Sequence, residues 1–525
     1  MKEVETRAHV LSNGHYSVLI TRGGGGVSAL DGYALTRWQP DPTVDGYGTL
    51  VYLRDLETAR YWSLGTASAP SDASGGVRTA ADHAELWSVC SGIETRCMVT
   101  VAKAHNTEAR SLRITNQTER ARTIELTTFA ELSLNTPGAD AAHPAFSKLF
   151  VETDFDETRK ALIAWRRGRS PEDRPVFVGQ RLVGARSIEY ETDRARFIGR
   201  RRTTQDPRAL IATAPLSGTV GAVLDPVFAL RTVLTLSPGA ETTVVLHMCA
   251  ADSRAELDQL LDAAGTDACA TADGVTALGL PDAWARTIDF GLGDDQWQGT
   301  AAARPRPLPS SEDFGGFSSD GTEYVIPVAD DIAPTPQPWI NVLANEQFGC
   351  LISENGAGYT WAANSRENRL TPWSNDPLSD PCSELVYLAD VDTGDLWSPL
   401  AAPCAVAHGF GYSRFTRRSH DLEQSTVVFV PRADPVKCVY ATITNRGRQS
   451  RRLRFVGYAQ LVLGTVAPET RATVRTWQDG HVIFATNEQR AEFSARVAFA
   501  AALSSTPATA RAATGSRASF LRDPA

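Results

Sequence analysis

Lysine is nearly absent from this chain: five of the 52 basic residues are Lys and 47 are Arg. A GC-rich genome accounts for that bias more simply than a phosphate-binding surface does. The net charge of −9 leaves no overall basic field to hold nucleic acid or an anionic membrane. No run of about 18 uninterrupted apolar residues occurs, which excludes a membrane-crossing helix. The first residues, MKEVETRAHV, lack the apolar stretch of a signal peptide. Cysteine is sparse and scattered, at Cys90, Cys97, Cys249, Cys269, Cys350, Cys382, Cys404 and Cys438. None forms a CxxC pair, so neither a disulfide framework nor a zinc site is expected. Buried free thiols in a reducing cytoplasm fit better. No His pair has HExxH spacing, no GxSxG elbow is present, and no Cys/His pairing suggests a nucleophile. No metal, cofactor or catalytic residue is therefore assigned.

An internal repeat is present instead, and repeats decide architecture before any other signal. NGHYSVLITRGGGGVSALDGYALTRWQPDP, from Asn13, is matched by NEQFGCLISENGAGYTWAANSRENRLTPWSNDP, from Asn345. The offset is 332 at Asn13/Asn345 and Gly26/Gly358, and 335 at Trp38/Trp373 and Pro42/Pro377. The second copy thus carries about three extra residues between its Gly-rich turn and its Trp. Tyr52-Leu53-Arg54-Asp55 then matches Tyr387-Leu388-Ala389-Asp390, and Trp62-Ser63 matches Trp397-Ser398. Farther on the offset is 329, pairing Leu112–Asn116 with Ala441–Asn445.

Strand signals dominate both copies. Arg96–Val101 is rich in strand formers, and Thr123-Ile124-Glu125-Leu126-Thr127 alternates apolar and polar residues, as a sheet with one buried face requires. Turn signals at Asn13-Gly14, Gly23–Gly26, Asn116-Gln117 and Asn445-Arg446-Gly447 separate the strands. One helix is expected after Ser253, which can cap it, with Leu257, Leu260 and Leu261 on one face before Gly265. Periodicity then fades toward Arg304-Pro305-Arg306-Pro307-Leu308-Pro309, a stiff spacer. These signals give an all-β chain with two antiparallel sandwiches: residues 1–265 with a short C-terminal helix, a linker at 266–311, and residues 312–525.

At this level of detail the sequence resembles a known family. FGGFSSDGTEYVI (314–326), NSRENRLTPWSNDP (364–377), HGFGYSRF (408–415) and DPVKCVYATITN (434–445) are similar to the sugar-phosphorylase-like region of cyclic β-1,2-glucan synthases. That region belongs to glycoside hydrolase family 94, formerly glycosyltransferase family 36. ADAAHPAFSKLFVETDF (139–155), YETDRARFIGR (190–200) and LSGTVGAVLDPVFALR (216–231) extend the likeness to the first half. The resemblance implies galactose-mutarotase-like β-supersandwiches. In the family an (α/α)6 barrel follows the second sandwich and carries the catalytic aspartate and phosphate-binding groups. Here the sequence stops at FLRDPA, about where that barrel is expected, and only some 45 residues stand where a helical region normally separates the sandwiches. An inverting transfer needs a carboxylic acid at the leaving oxygen, and no barrel-like segment here offers one.

The longer loop of the second copy is the candidate sugar-contacting surface. Trp361 and Trp373 can stack on a pyranose ring. Asn364, Arg366, Asn368, Arg369, Asn375 and Asp376 can direct hydrogen bonds to hydroxyls. The bland alternative is that the Arg residues pair with Glu367 or Asp376 and hold the loop's shape. The first copy keeps Arg37, Trp38 and Asp41, where a structural turn anchored by Trp38 is expected. Gly23–Gly26 reads as a tight turn rather than a phosphate cradle, since strand-like sequence follows it. His143, His408 and His420 read as hydrogen-bonded surface or interface groups. The expected partner is a β-glucan or glucooligosaccharide bound by a supporting, non-catalytic module in the cytoplasm. Two alternatives stand beside it: an active enzyme whose barrel is supplied in cis or in trans, and a homodimerisation scaffold.

Overall fold

Alternation of side chains shapes the first layer directly. Ala84–Cys90 and Ile93–Val101 bury every second residue and turn the others toward water, the period of two that a pleated strand imposes. The computed structural model describes residues 6–39, 46–170, 172–263, 288–290, 294–298, 314–329, 331–489, 492–504 and 512–522. The chain divides into two units, Met1–Pro305 and Arg306–Ala525.

Unit 1 holds two large sheets. The first runs β15 (Glu189–Asp193), β16 (Pro226–Leu236), β11 (Arg122–Asn135), β4 (Tyr33–Thr36), β3 (Gly26–Leu30), β2 (Tyr16–Thr21), β1 (Thr6–Ser12), β18 (Ile288–Phe290). Beside β11 lies β5 (Leu50–Asp55), which pairs in turn with β6 (Tyr61–Ser63). The second runs β12 (Val151–Asp156), β13 (Ala161–Arg166), β14 (Phe177–Val183), β17 (Glu241–Ala251), β10 (Thr107–Asn116), β9 (Ile93–Val101), β8 (Ala84–Cys90), β7 (Ser74–Thr79), β19 (Asp294–Gln298). Their facing sides share one core, with Trp62, Ile124, Leu126, Leu112, Ile114, Phe228 and Leu246 fully buried. Among the described residues all strand pairings of unit 1 are antiparallel except β1 with β18.

The segment expected as a plain linker, 266–311, departs from that reading. β18 and β19 lie within it and extend one edge of each sheet. An unpaired edge presents a row of free backbone donors and acceptors, and these residues satisfy part of it without needing an apolar period of their own. The Pro-rich stretch itself lies outside the described residues. The expected helix forms over Arg254–Ala263. Ser253 Oγ accepts from the Glu256 amide at 3.2 Å, and Leu257 and Leu261 pack on Ala161, Ile163, Cys249 and Ala251.

β11 is buried on both faces. Ile124 and Leu126 enter the core, while Glu125 and Glu131 alternate onto the opposite face and meet cations there. Glu125 pairs with Arg54 at 2.8 Å and Arg231 at 3.4 Å. Glu131 pairs with Arg194 at 2.7 Å and Arg37 at 3.3 Å. Arg37 also reaches Asp140 at 2.8 Å, and Asp225 takes Arg194 and Lys148. Each of these charged groups is desolvated, so each needs its partner.

Unit 2 has smaller sheets. One runs β20 (Gly316–Phe317), β21 (Glu323–Val328), β27 (Cys404–Gly409), β28 (Tyr412–Ser419), β29 (Leu422–Phe429), β30 (Cys438–Asn445). Three have three strands: β22 (Ile340–Ala344), β23 (Phe348–Ser353), β24 (Gly358–Ala362); β26 (Leu396–Trp397), β25 (Glu384–Asp390), β31 (Leu453–Ala459); and β32 (Arg475–Asp479), β33 (Val482–Thr486), β34 (Ala498–Ala501).

The same local devices recur in the two units. Asn13 Nδ2 donates to the Ala102 and His105 carbonyls at 2.8 and 2.9 Å. Asn345 Nδ2 donates to those of Pro431 and Asp434 at the same two distances. Gly26 and Gly358 are both obligatory: a Cβ at either would lie 1.8 Å from a backbone oxygen, of Leu19 or Leu351. Arg122 pairs with Asp55 and Arg451 with Asp390, each at 2.6 Å. Phe129 stacks on Phe197 at 4.7 Å, and Tyr458 on Phe520 at 5.1 Å.

Candidate functional site

β24 carries two chemistries on its two faces. Thr360 points to one side, where its hydroxyl and that of Thr371 donate to Glu384 Oε1. Lys437 Nζ donates to Glu384 Oε2 at 2.6 Å. Burial pushes the Glu384 carboxyl up, but the Lys437 charge and the hydroxyl bonds outweigh it and hold the group below its ordinary range. This pair braces the strand from beneath.

Tyr359 and Trp361 point to the other side. Tyr359 is buried, because Trp373 stacks on it at 5.2 Å and 12°, Trp361 leans on it at 5.2 Å, and the Arg369 guanidinium lies 5.6 Å from its ring centre. Burial raises the Tyr359 phenol above its usual range. The indole of Trp361 covers Gly349, where a Cβ would meet its Cζ2 at 2.4 Å. Trp361 and Trp373 remain half-buried.

The turn after β24 is self-supporting. Asn364 Oδ1 accepts from the Arg366 and Glu367 amides, both at 2.9 Å. Asn368 is buried and donates to the Ala362 carbonyl at 2.9 Å. Asp376 accepts from the Leu378 amide at 2.9 Å and the Ser379 hydroxyl at 2.6 Å. Asn364, Asn368 and Asp376 therefore shape the loop, whatever else they touch. Arg366 is 64% exposed, with Glu367 3.4 Å away. Asn375 is exposed, on left-handed backbone at φ 49°. Trp361, Trp373, Arg369 and Arg366 are thus brought into one stretch of loop, together with Tyr359. Sequence reasoning left Tyr359 out of the site. Its position two residues before Trp361 on a strand was the available signal.

The lesser candidates have structural surroundings. Trp38 is buried among Ala8, Val10, Leu19, Val27, Ala29 and Ala34, and Arg37 is held in the buried ion network. Asp41 lies outside the described residues. Gly23–Gly26 forms a turn closed by the Thr21 amide on the Gly25 carbonyl at 2.9 Å, and β3 follows it. His408 Nε2 sits 3.2 Å from the Trp339 carbonyl, which only a protonated nitrogen satisfies, and burial lowers its pKa. His420 stacks on Trp397 at 4.1 Å, and His143 is exposed. Among the described residues seven cysteines stand outside any disulfide. Among the described residues no group of His, Cys, Asp and Glu has the arrangement of a metal site, and no helix is long and apolar enough to cross a membrane.

Antiparallel sheets in two units that repeat the same local devices define a β-supersandwich protein. More particularly, the chain belongs to the family of the glycosyl hydrolase 94 supersandwich domain, whose model matches residues 2–266 and 322–522. It is 27% identical to the cyclic beta-(1,2)-glucan synthase NdvB of Rhizobium meliloti (strain 1021), over 93% of this chain and 24% of that protein. It is 30% identical to the N,N'-diacetylchitobiose phosphorylase of Vibrio furnissii, over 30% of this chain and 20% of that one. The chain therefore spans about a quarter of the length of the synthase. Among solved structures, a galactose mutarotase-like protein from Clostridium acetobutylicum overlays 48% of this chain and all of its own, at 7% identity and TM-score 0.26.

Proposed function

We propose that this chain is the sandwich portion of a cyclic β-1,2-glucan synthase-like protein, and that it supports a glucan chain rather than cleaving or transferring one by itself. The observation that carries this reading is the loop of unit 2. It presents two half-buried Trp rings and an exposed guanidinium on a frame already braced by Asn364, Asn368 and Asp376. Aromatic faces and directional donors on a preformed surface suit a sugar chain. The likeness to NdvB supports a β-1,2 linkage in this reading, and the acid and phosphate groups for any transfer come from a barrel supplied in cis or in trans.

Calorimetric titration with β-1,2-glucooligosaccharides tests it. Saturable heat is expected, with affinity about tenfold weaker in Trp373→Ala, the order of one lost aromatic contact. Arg366→Ala should weaken binding without changing the fold, since that side chain is exposed. Absence of heat at millimolar oligosaccharide from folded protein would sink the reading. Release of glucose 1-phosphate from sophorose and phosphate by the chain alone would replace it with the enzyme reading.

A further inference from the structure

Unit 2 has three strand edges that their unit 1 counterparts do not leave open. In unit 1, β10 is flanked by β9 and β17, β11 by β5 and β16, and β14 by β13 and β17. The corresponding strands of unit 2 are β30, β31 and β34. The β25–β31 register repeats that of β5–β11, with Asp390 opposite Leu453 as Asp55 is opposite Ile124. The meander β32–β33–β34 follows β31 as β12–β13–β14 follows β11. The helix Arg517–Arg522 then sets Phe520 on Tyr458, as Arg194–Phe197 sets Phe197 on Phe129. Among the described residues, β30, β31 and β34 each have a strand on one side alone. The two vacant positions are those that β16 and β17 fill in unit 1.

Two further observations point to the same occupant. Asn116 Nδ2 donates to the Arg120 carbonyl and also to those of Leu236 and Ser237, at the turn joining β16 to β17. Its counterpart Asn445 donates to the Gln449 carbonyl at 2.7 Å, and the β16–β17 turn that Asn116 also fastens has no counterpart among the described residues. Asn116 is fully buried, whereas Asn445 is exposed. Burial follows the same division. Leu126 of β11 is 0% exposed, and its counterpart Phe455 of β31 is 43% exposed. On β30, Ile443 is half-buried where its counterpart Ile114 of β10 is 0% exposed.

We infer that unit 2 accepts a β-hairpin from a polypeptide segment outside these 525 residues, with one strand pairing β31, the other entering between β30 and β34, and its turn fastened by Asn445. Open strand edges beside uncovered apolar side chains are templates for such strand addition. The occupant is a two-stranded antiparallel segment with strands as long as β16 and β17, which have 11 residues each. Its inward side chains are apolar, to cover Phe455.

The probe is a labelled synthetic peptide with this chain's own Pro226–Ala251 sequence, the one hairpin known to fit such a slot. Added to the full chain, it should give saturable anisotropy at one peptide per chain. It should also slow amide hydrogen exchange in β30, β31 and β34. Asn445→Ala should weaken binding about tenfold, as expected for lost turn hydrogen bonds. Phe455→Asp, at a side chain already exposed in the free protein, should abolish it while leaving the thermal transition in place. A scrambled peptide that binds equally well, or no exchange protection at saturating peptide, overturns the inference. So does a concentration-dependent dimer that protects the same strands, which would assign these edges to a second copy of the chain.

Discussion

The two units solve one local problem alike and one non-local problem differently. Asn13 and Asn345 bridge equivalent carbonyls, Gly26 and Gly358 permit the same close backbone approach, and Arg122–Asp55 matches Arg451–Asp390. These devices depend on neighbours within a few strands, and they survive whatever surrounds them. Burial does not. Trp62 is fully buried in a core lined by both sheets of unit 1, while Trp397 shares a small cluster with Leu388 and Leu422. Turn chemistry is thus a property of short segments, and core depth is a property of how many strands close over it.

The largest effect that could break this contrast is a cavity at the matched tryptophans. Trp62→Ala should destabilise unit 1 by about 3–5 kcal/mol. Trp397→Ala should cost unit 2 less, since its ring is roofed by His420 and tied to Gln424 by one hydrogen bond of 2.9 Å. Urea unfolding followed by hydrogen exchange resolves the two units; equal losses would show that unit 2 is as well closed as unit 1.

The next effect concerns charge. Asp55 and Arg122 are almost completely buried, and removal of one partner from a buried pair costs about 3 kcal/mol or more. Asp55→Ala should therefore unfold unit 1 at markedly lower urea. In unit 2 the pH dependence is the sharper probe. The Glu384 carboxyl titrates below its unfolded value, so its contribution is present above the ordinary carboxylate range and is lost as pH falls through the folded pKa. Urea midpoints of unit 2 should fall on acidification, and Glu384→Gln should flatten that fall. An unchanged pH profile in Glu384→Gln would mean that the Glu384 carboxylate is not what the fall on acidification reports.

Much of this was legible in the sequence because it rests on short-range rules. Alternation around Ile124, the cap at Ser253 and the turns at Asn13 and Gly23–Gly26 all follow from local chemistry. The three extra residues of the second copy fall in the Ala363–Asn368 turn, and the loop's aromatic and polar content was visible beforehand. Other features were not legible. Glu125 and Glu131 look like the wet face of a half-buried strand, and only the Arg residues brought from β5, β16 and the 194–197 helix reveal that both faces are covered. β18, Ile-Asp-Phe, is too short for its alternation to stand out, and β19, Asp-Asp-Gln-Trp-Gln, has no apolar period, since backbone pairing at a sheet edge asks little of side chains. Tyr359 gained its role from Trp373 and Arg369, which the loop folds back over it.

A smaller and more even effect tests the part that the units share. Asn13 and Asn345 each donate to two carbonyls and accept from two amides, those of His15 and Tyr16 in one case and Gln347 and Phe348 in the other. Alanine at either position should cost about 1–2 kcal/mol, since several bonds are lost at a partly solvated site. The two losses should agree closely, because every partner has its counterpart. Measured unit by unit in urea, a loss in Asn345→Ala far below that of Asn13→Ala would mean that the open sheets of unit 2 let water replace the bridge. The line between local and non-local determinants would then have to be drawn inside the turn itself.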